Sequence, residues 1–422
     1  MVEARTATAT ADRGDRWNVL LSYTSVNRTW ALSLYDYLRH VGYKVFVDQG
    51  TLKTGDELTP RVDEALRASQ SAVLIWSRAD SDSTWIRREH HVLEREAAVK
   101  RGFRFVAVLL DDSKPPSFAA NLDFPDFSSF PEGPNGGAFL RLLYALVGEP
   151  LSREAARFAL DWDDAAERET ARVRAAIRNG NPERLLQMVE EGGSVWASLP
   201  ALPCKAAEGL IKLGRPTEAI SLLERIIHTF PKALRPKQLL ALALVRRGGN
   251  DDLADAQRVL GELYALGEMD PETLALYAKT WSDRYTKSGD PTDLKRARDF
   301  YVEAFEKAPD DYYSGLNAAA MSVNLGSADD LEKASAYAER VIRILGTEVA
   351  LGDYWKTATI AEVLLLQRKY REAARLYQAA VNMTPSEKGS HVFTRTEASR
   401  LMDHLKPTAE ERSAIDQAFA DV

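Results

Sequence analysis

Hydrophobic residues in the first third of the chain follow two alternating patterns. Short runs rich in Val, Leu, Ile and Phe predict strands that are buried on both faces, and the segments between them have the apolar spacing of amphipathic helices. This alternation favours a parallel sheet whose strands are joined by right-handed crossover helices. The predicted strands are Asn18–Tyr23, Lys44–Val47, Ser71–Trp76 and Phe103–Leu110, with a fifth, short strand near Asp123–Phe127.

The helices predicted between these strands are Asn27–Val41, Thr59–Ala68 and Thr84–Lys100. Gly42 follows the first helix and Gly102 follows the last, as is typical where a helix ends. We therefore predict a doubly wound α/β domain over residues 17–150. Residues 1–16 are small, polar and charged, so we expect a flexible arm there.

After Pro150 the strand pattern gives way to successive amphipathic helices. Residues 151–194 are predicted to form a connecting segment, which contains the charged helix Arg153–Asn179. Residues 195–422 are predicted to form a helical repeat domain, because alanines recur 37 to 41 residues apart. These alanines are Ala219, Ala256, Ala297, Ala334 and Ala373.

Three of the repeat helices share the pattern Ala-x3-[Leu/Tyr]-x2-[Ala/Ile]-x4-Pro. A small Ala lets two helices approach closely, and Pro ends the helix. This pattern resembles the second helix of a tetratricopeptide repeat. Over about residues 195 to 385, segments such as EAFEKAPDDYYSGLNAAAM also resemble the TRAF-binding repeat domain. The resemblance implies an α-solenoid that binds a protein or peptide partner, although the same Ala, Leu and Tyr positions also fit a purely structural core.

Composition and charge exclude several classes of protein. The net charge is −7 without a Lys/Arg cluster, so we expect no nucleic-acid partner. The longest apolar run, Phe105 to Leu110, has the length of a strand, so we expect no membrane span or signal peptide. The single cysteine, Cys204, favours a reducing cytoplasm. We predict no metal, since His90 and Glu94 lack an evident third ligand. The chain also lacks a phosphate-binding loop of the Gly-x4-Gly-Lys-[Ser/Thr] type.

Candidate site residues follow two of the predicted strands. Ser22 and Tyr23 end the first strand, and Asp48 follows the second. Ligands of doubly wound sheets bind beyond the carboxyl ends of the strands, so we expect these side chains to share one crevice. In the third predicted helix, Trp85 and Glu89 are four residues apart and therefore share a face.

A strand ending in Ser-Tyr, a strand ending in Val-x-Val-Asp, a loop with Gly55 and a Trp-x3-Glu helix occur here in the order found in TIR domains. The first domain resembles that family, which implies a flavodoxin-like fold. The resemblance implies that Glu89 is the catalytic carboxylate of NAD+ cleavage and that Trp85 lies beside it. NAD+ would then be a substrate, not a cofactor, bound by Ser22, Tyr23, Asp48 and Trp85.

Two features leave the catalytic interpretation open. Glu89 could instead be a surface residue paired with Arg88 or Lys53. The chain also has Glu57 where nucleotide-binding members often have an aromatic residue shortly after the glycine, and a carboxylate there would repel a phosphate.

The sequence therefore supports two hypotheses. In the first, the protein is a TIR-type NAD+ glycohydrolase or ADP-ribosyl cyclase that is activated by self-association of its TIR-like domains. Its repeats would sense a trigger or partner, and the resemblance to bacterial TIR proteins suggests a role in antiphage immunity. In the second, the TIR-like domain is a non-catalytic adaptor that acts through protein–protein interactions.

Overall fold

The computed structural model describes residues 17–47, 60–78, 100, 102–113, 124–131, 133–347, 352–384 and 388–420. These residues belong to two compact units, the first extending to Ala243 and the second beginning at Leu244. The domain boundaries predicted from the sequence, after residues 16, 150 and 194, stay predictions.

The first unit contains a four-stranded parallel sheet, as the alternating pattern predicts. Its strands are β1 (Trp17–Ser22), β2 (Val45–Val47), β3 (Ser69–Trp76) and β4 (Arg104–Leu109), in the spatial order β2-β1-β3-β4. The predicted fifth strand is represented among the described residues by one parallel bridge, between Leu109 and Asp126. A single bridge does not make a strand, so a fifth strand does not form over the described part of this segment, residues 124–127.

Helices cover the sheet at the positions that the sequence indicates. A short 3-10 turn (Ser25–Asn27) leads into α1 (Arg28–His40), and α2 (Pro60–Ala68) precedes β3. The helix predicted at Thr84–Lys100 lies outside the described residues except for its last position. The next helix is α3 (Gly136–Val147), which packs against β4.

Helix α1 is buried along nearly its whole length, because every side chain from Trp30 to Leu38 is at most 8% exposed. An amphipathic helix on the surface of a domain normally keeps one polar face in solvent. Here even Ser33 and Asp36 are buried. A second layer must therefore cover the face that points away from the sheet.

Part of that cover comes from residues that follow α3 in the chain, since the His40 ring of α1 lies 4.8 Å from the ring of Phe230. The helices of the first unit after α3 are α4 (Arg153–Arg178), α5 (Pro182–Glu191), α6 (Ser194–Ser198), α7 (Ala201–Lys212), α8 (Pro216–Thr229) and the beginning of α9 (Arg235–Arg247).

Two close contacts fix these helices to the sheet domain. The Asp36 carboxylate of α1 accepts hydrogen bonds from the backbone N–H groups of Leu234, at 2.7 Å, and Arg235, at 3.1 Å. It thereby caps the N-terminus of α9 across almost 200 residues of sequence. Helix α4 lies so close to α3 that a Cβ added at Gly137 would lie 2.0 Å from the carbonyl oxygen of Ala159.

The second unit is built of helical hairpins. Its helices are α10 (Asp252–Ala265), α11 (Pro271–Ser288), α12 (Pro291–Lys307), α13 (Tyr312–Leu325), α14 (Ala328–Leu345), α15 (Tyr354–Leu366), α16 (Tyr370–Met383), α17 (Lys388–Leu405) and α18 (Ala409–Gln417).

The five recurring alanines lie on alternate helices of the array, from α8 to α16, and each is at most 3% exposed. This placement agrees with their predicted role in close helix packing. Across the described residues, no helix has both the length and the apolar character required to cross a bilayer.

Gly137→Ala should lower the free energy of unfolding by about 2 kcal/mol or more, since the added methyl group meets fixed backbone of α4. Gly261→Ala in α10 is the matched control, because its Cβ would meet only the Tyr277 hydroxyl, at 3.2 Å. The control should be neutral or stabilising by up to ~1 kcal/mol, the gain in helix propensity. Urea denaturation of both variants measures the difference, and equal stabilities would refute the close packing of α3 on α4.

Asp36→Ala should destabilise the first unit by about 2 kcal/mol, because two buried backbone N–H groups lose their acceptor. Asp36→Asn retains one acceptor oxygen and should cost less. Ser152→Ala removes the cap of α4 at an exposed position and sets the scale for an ordinary cap, ~1 kcal/mol. If Asp36→Ala costs no more than Ser152→Ala in the same denaturation experiment, Asp36 does not join the two layers.

Candidate functional site

The carboxyl ends of β1 and β3 form the centre of the candidate site. These strands are neighbours, with Ser22 of β1 paired to Leu74 of β3, while β2 lies on the other side of β1. The strand order thus reverses between β1 and β3. In open parallel sheets, such a reversal opens a crevice beyond the strand ends where ligands bind.

Four polar residues surround this crevice in the described part of the chain. Ser22 ends β1 and is 3% exposed, whereas Tyr23, the next residue, is only partly buried. Asn27 donates a hydrogen bond from Nδ2 to Oγ of Ser77 at 3.0 Å, and both side chains are 7% exposed. This bond ties the start of α1 to the end of β3 and fixes the shape of the crevice.

Three charged residues, Arg78, Asp111 and Asp112, lie farther along the same edge of the sheet, toward β4. The backbone N–H of Arg78 donates to Oδ2 of Asp111 at 2.7 Å, and the Arg78 guanidinium lies 2.6 Å from Asp112. Burial acts to raise the pKa of Asp111, but hydrogen bonds from Ser113 and from the Arg78 backbone hold that pKa below its ordinary value. Asp111 is therefore a carboxylate at neutral pH. The Arg78–Asp112 pair is largely exposed and contributes little stability.

The structure locates some of the residues predicted from the sequence. Ser22 and Tyr23 lie at the carboxyl edge, as expected. Strand β2 ends at Val47, which pairs with Leu21 of β1, so the chain leaves β2 at the same edge. The remaining predicted site residues, Asp48, Trp85 and Glu89, lie outside the described residues, as do Gly55 and Glu57. Their roles stay predictions.

Asn27 and Ser77 are not among the residues predicted from the sequence, because the rule that ligands bind beyond strand ends was applied to the first two strands and not to the third. Ser77 directly follows Trp76, the last residue of β3, so the same rule would have selected it. Asn27 is harder to predict as a site residue, because an Asn directly before a helix is usually an N-cap. In the structure its side chain makes no cap hydrogen bond.

Together these groups can bind a polar, uncharged part of a ligand. Hydroxyl and amide groups both donate and accept hydrogen bonds, which suits sugar hydroxyls or a carboxamide. The described residues contain no cluster of three or more His, Cys, Asp or Glu side chains placed to hold a metal ion.

A double-mutant cycle tests the Asn27–Ser77 bond. We expect Asn27→Ala and Ser77→Ala to interact by about 1 kcal/mol in the free energy of unfolding, because a buried hydrogen bond joins them. Asn18 of β1 and Gln70 of β3, an exposed pair 3.4 Å apart, are the matched control and should be additive within ~0.3 kcal/mol. Additive behaviour of the buried pair in chemical denaturation would show that the bond does not hold the crevice together.

Comparison with protein families identifies two regions of the chain. A family model described as TIR domain matches residues 19–143, which include the sheet except for the first two residues of β1. A second model, described as Tetratricopeptide Repeats-Sensor, matches residues 215–322.

Two curated relatives carry related names. The probable 2′ cyclic ADP-D-ribose synthase TcpB of Brucella melitensis is 31% identical over 85 residues, which are 20% of this chain and 34% of the relative. The probable 2′ cyclic ADP-D-ribose synthase BdTIR of Brachypodium distachyon is 36% identical over 76 residues, which are 18% of this chain and 34% of the relative. The chain thus spans about a third of the length of the curated relatives it matches.

Among solved structures, a thermophilic tetratricopeptide-repeat protein from Thermus thermophilus is similar over 47% of this chain and 97% of its own. The identity is 19% and the TM-score 0.37, a distant likeness. The chain carries a TIR domain at residues 19–143, and a sensor-type tetratricopeptide repeat region follows it.

Proposed function

We propose that this protein is a TIR-type NAD+ hydrolase, acting as a glycohydrolase or an ADP-ribosyl cyclase. The observation that carries the proposal is the match to two relatives, from a bacterium and a plant, that are both named as probable 2′ cyclic ADP-D-ribose synthases. Making cyclic ADP-ribose from NAD+ requires cleavage of the bond between nicotinamide and ribose.

The reaction requires little chemistry from the protein. As the nicotinamide–ribose bond breaks, nicotinamide leaves as a neutral molecule and the ribose carbon acquires oxocarbenium character. A carboxylate on the ribose face stabilises that positive charge, and we assign this role to Glu89. Water then attacks the ribose carbon in a glycohydrolase, whereas an oxygen or nitrogen of the same molecule attacks it in a cyclase.

The remaining predicted residues would position the substrate. We assign substrate binding to Ser22, Tyr23, Asp48 and Trp85, with Asn27 and Ser77 holding the crevice open beneath them. The partly buried ring of Tyr23 offers a face for stacking on a base, which compensates for the aromatic residue that is absent near Gly55.

We further propose that activity depends on assembly. The repeats would sense a trigger or a protein partner and bring TIR domains together in the cytoplasm. The match of the downstream helices to a sensor-type repeat family supports this division of labour. A role in bacterial antiphage immunity, through depletion of NAD+ or a cyclic nucleotide signal, would follow from such an arrangement.

One observation favours the alternative, a non-catalytic TIR adaptor. Glu57 follows Gly55 by two residues in the sequence, and a negative charge in a substrate-binding loop would repel the substrate phosphates. An adaptor needs no phosphate binding and would act through its TIR and repeat surfaces alone.

The deciding experiment measures NAD+ turnover by the purified full chain over a range of protein concentrations, with a crowding agent to promote assembly. We expect turnover to rise more steeply than the protein concentration. Glu89→Gln and Glu89→Ala should each lower the rate by ~1000-fold or more, as expected when the group that stabilises transition-state charge is removed.

Glu94→Gln is the matched control, since it removes a carboxylate from the same predicted helix. It should retain activity within about twofold, because it lies outside the proposed site. Absence of turnover in every assembled sample, or full activity in folded Glu89→Gln, would favour the adaptor.

A further inference from the structure

A cavity of about 390 Å³ lies within the first unit, where α1 meets α7 and the start of α9. It contrasts with the contact between α3 and α4, where Gly137 leaves no room for a side chain. Protein interiors normally contain few voids larger than a water molecule. The volume of this cavity is in the range of small-molecule sites, ~300–1,000 Å³. A second cavity, of about 170 Å³, shares Asp36, Tyr37 and Pro200 with it.

Short side chains on two helices leave this space open. Thr29 and Ser33, which are one helical turn apart, form the part of the wall that α1 contributes. Ala201 and Cys204 belong to the part that α7 contributes, and Leu239 of α9 adds an apolar surface. The cavity is therefore a consequence of the sequence where these helices meet.

Two cations line the cavity beside one carboxylate. The Lys205 ammonium lies 3.6 Å from Oε2 of Glu208, which is too far for a hydrogen bond, although the Lys205 side chain is only 25% exposed. Oε1 of Glu208 lies 2.9 Å from the ammonium of Lys212, so this carboxylate already has a cation of its own. Arg235, at the start of α9, is the second cation of the wall. Among the described residues, the Lys205 ammonium therefore keeps its N–H groups for a ligand.

The N-terminus of α7 adds positive potential at the same place. Helix α7 begins at Ala201, and both Ala201 and the N-cap residue, Pro200, line the cavity. The first turn of a helix carries a partial positive charge, which favours an anion. Asp36 offsets this charge at the start of α9, whereas Pro200 has no side-chain oxygen to do so at the start of α7. This end of the cavity therefore favours an anionic group.

Two further groups of the wall can accept hydrogen bonds. The Ser33 hydroxyl donates to the carbonyl of Thr29, at 3.1 Å, so its oxygen is left to accept. Burial acts to raise the pKa of Glu208, but the neighbouring cations, Lys212 first among them, hold that pKa below its ordinary value. Glu208 is thus an acceptor at neutral pH. Since these cations already neutralise it, a ligand hydroxyl suits it better than a ligand ammonium.

We propose that this cavity binds a phosphorylated sugar. The phosphate lies between Lys205 and Arg235 at the start of α7, and sugar hydroxyls donate to Ser33 and Glu208. A free sugar phosphate and a nucleotide share this chemistry, and the test separates them. Because the ligand contacts α1, α7 and α9 together, it stabilises their association. This inference goes beyond NAD+ cleavage and does not depend on it, since its test measures binding alone.

The test titrates the full chain with ribose 5-phosphate and with AMP in a calorimeter. Ribose and adenosine, which lack the phosphate, are the matched control ligands. We expect at least one phosphate to bind, and its uncharged counterpart to bind at least about tenfold more weakly, because the charged hydrogen bonds to the phosphate are lost. Tighter binding of ribose 5-phosphate assigns the site to a free sugar phosphate, and tighter binding of AMP assigns it to a nucleotide.

Three chain variants locate the binding. Lys205→Met removes the ammonium but keeps a long apolar side chain, and it should weaken binding at least about tenfold. Lys205→Arg keeps the charge and should bind within about threefold of the natural chain. Lys237→Met is the matched control and should leave the affinity unchanged, because Lys237 also belongs to α9 but is not among the residues that line the cavity.

Four results would each overturn the proposal. They are failure of both phosphates to bind, equal binding of a phosphate and its uncharged counterpart, an affinity that survives Lys205→Met, and equal losses in Lys205→Met and Lys205→Arg. Circular dichroism of each variant confirms that it is folded, so a loss of binding reports on the cavity.

Discussion

The burial of α1 on both sides is the constraint on which the first unit depends. Helix α1 packs against β2 of the sheet, against α3 through the rings of Tyr37 and Phe139, and against the start of α9 through Asp36. A helix in this position must be apolar where it meets each layer, and its buried polar groups need partners. Asp36 meets that requirement by capping α9, and Trp30 does so by donating from Nε1 to the carbonyl of Phe130 at 3.0 Å.

This constraint also reaches the crevice. Residues 22–27 leave β1, form the crevice wall and enter α1 directly, so the position of α1 sets the position of Asn27 and its bond to Ser77. The proposed site thus lies at the start of a helix whose Asp36 is bonded to the start of α9.

The sequence predicted the fold closely because the fold depends on local pattern. Buried strands, helix periods and the recurring alanines are each read from a few neighbouring residues, and four of the predicted strands and the recurring alanines appear where expected. The contacts across layers are different, since nothing near Asp36 indicates that it caps a helix almost 200 residues later. In the candidate site, Ser22 and Tyr23 were predicted from a strand end, and Ser77 could have been predicted in the same way, whereas the pairing of Asn27 with Ser77 requires the structure.

The central claim is that the edge between β1 and β3 binds NAD+. Hydrogen–deuterium exchange of the Glu89→Gln variant, with and without NAD+, tests it most directly, because this variant should bind the substrate without consuming it. The account predicts slower exchange at residues 22–27 and 77–78, with the amides of α13 and α15 unchanged. Protection confined to the repeats, or none at saturating NAD+, would contradict it.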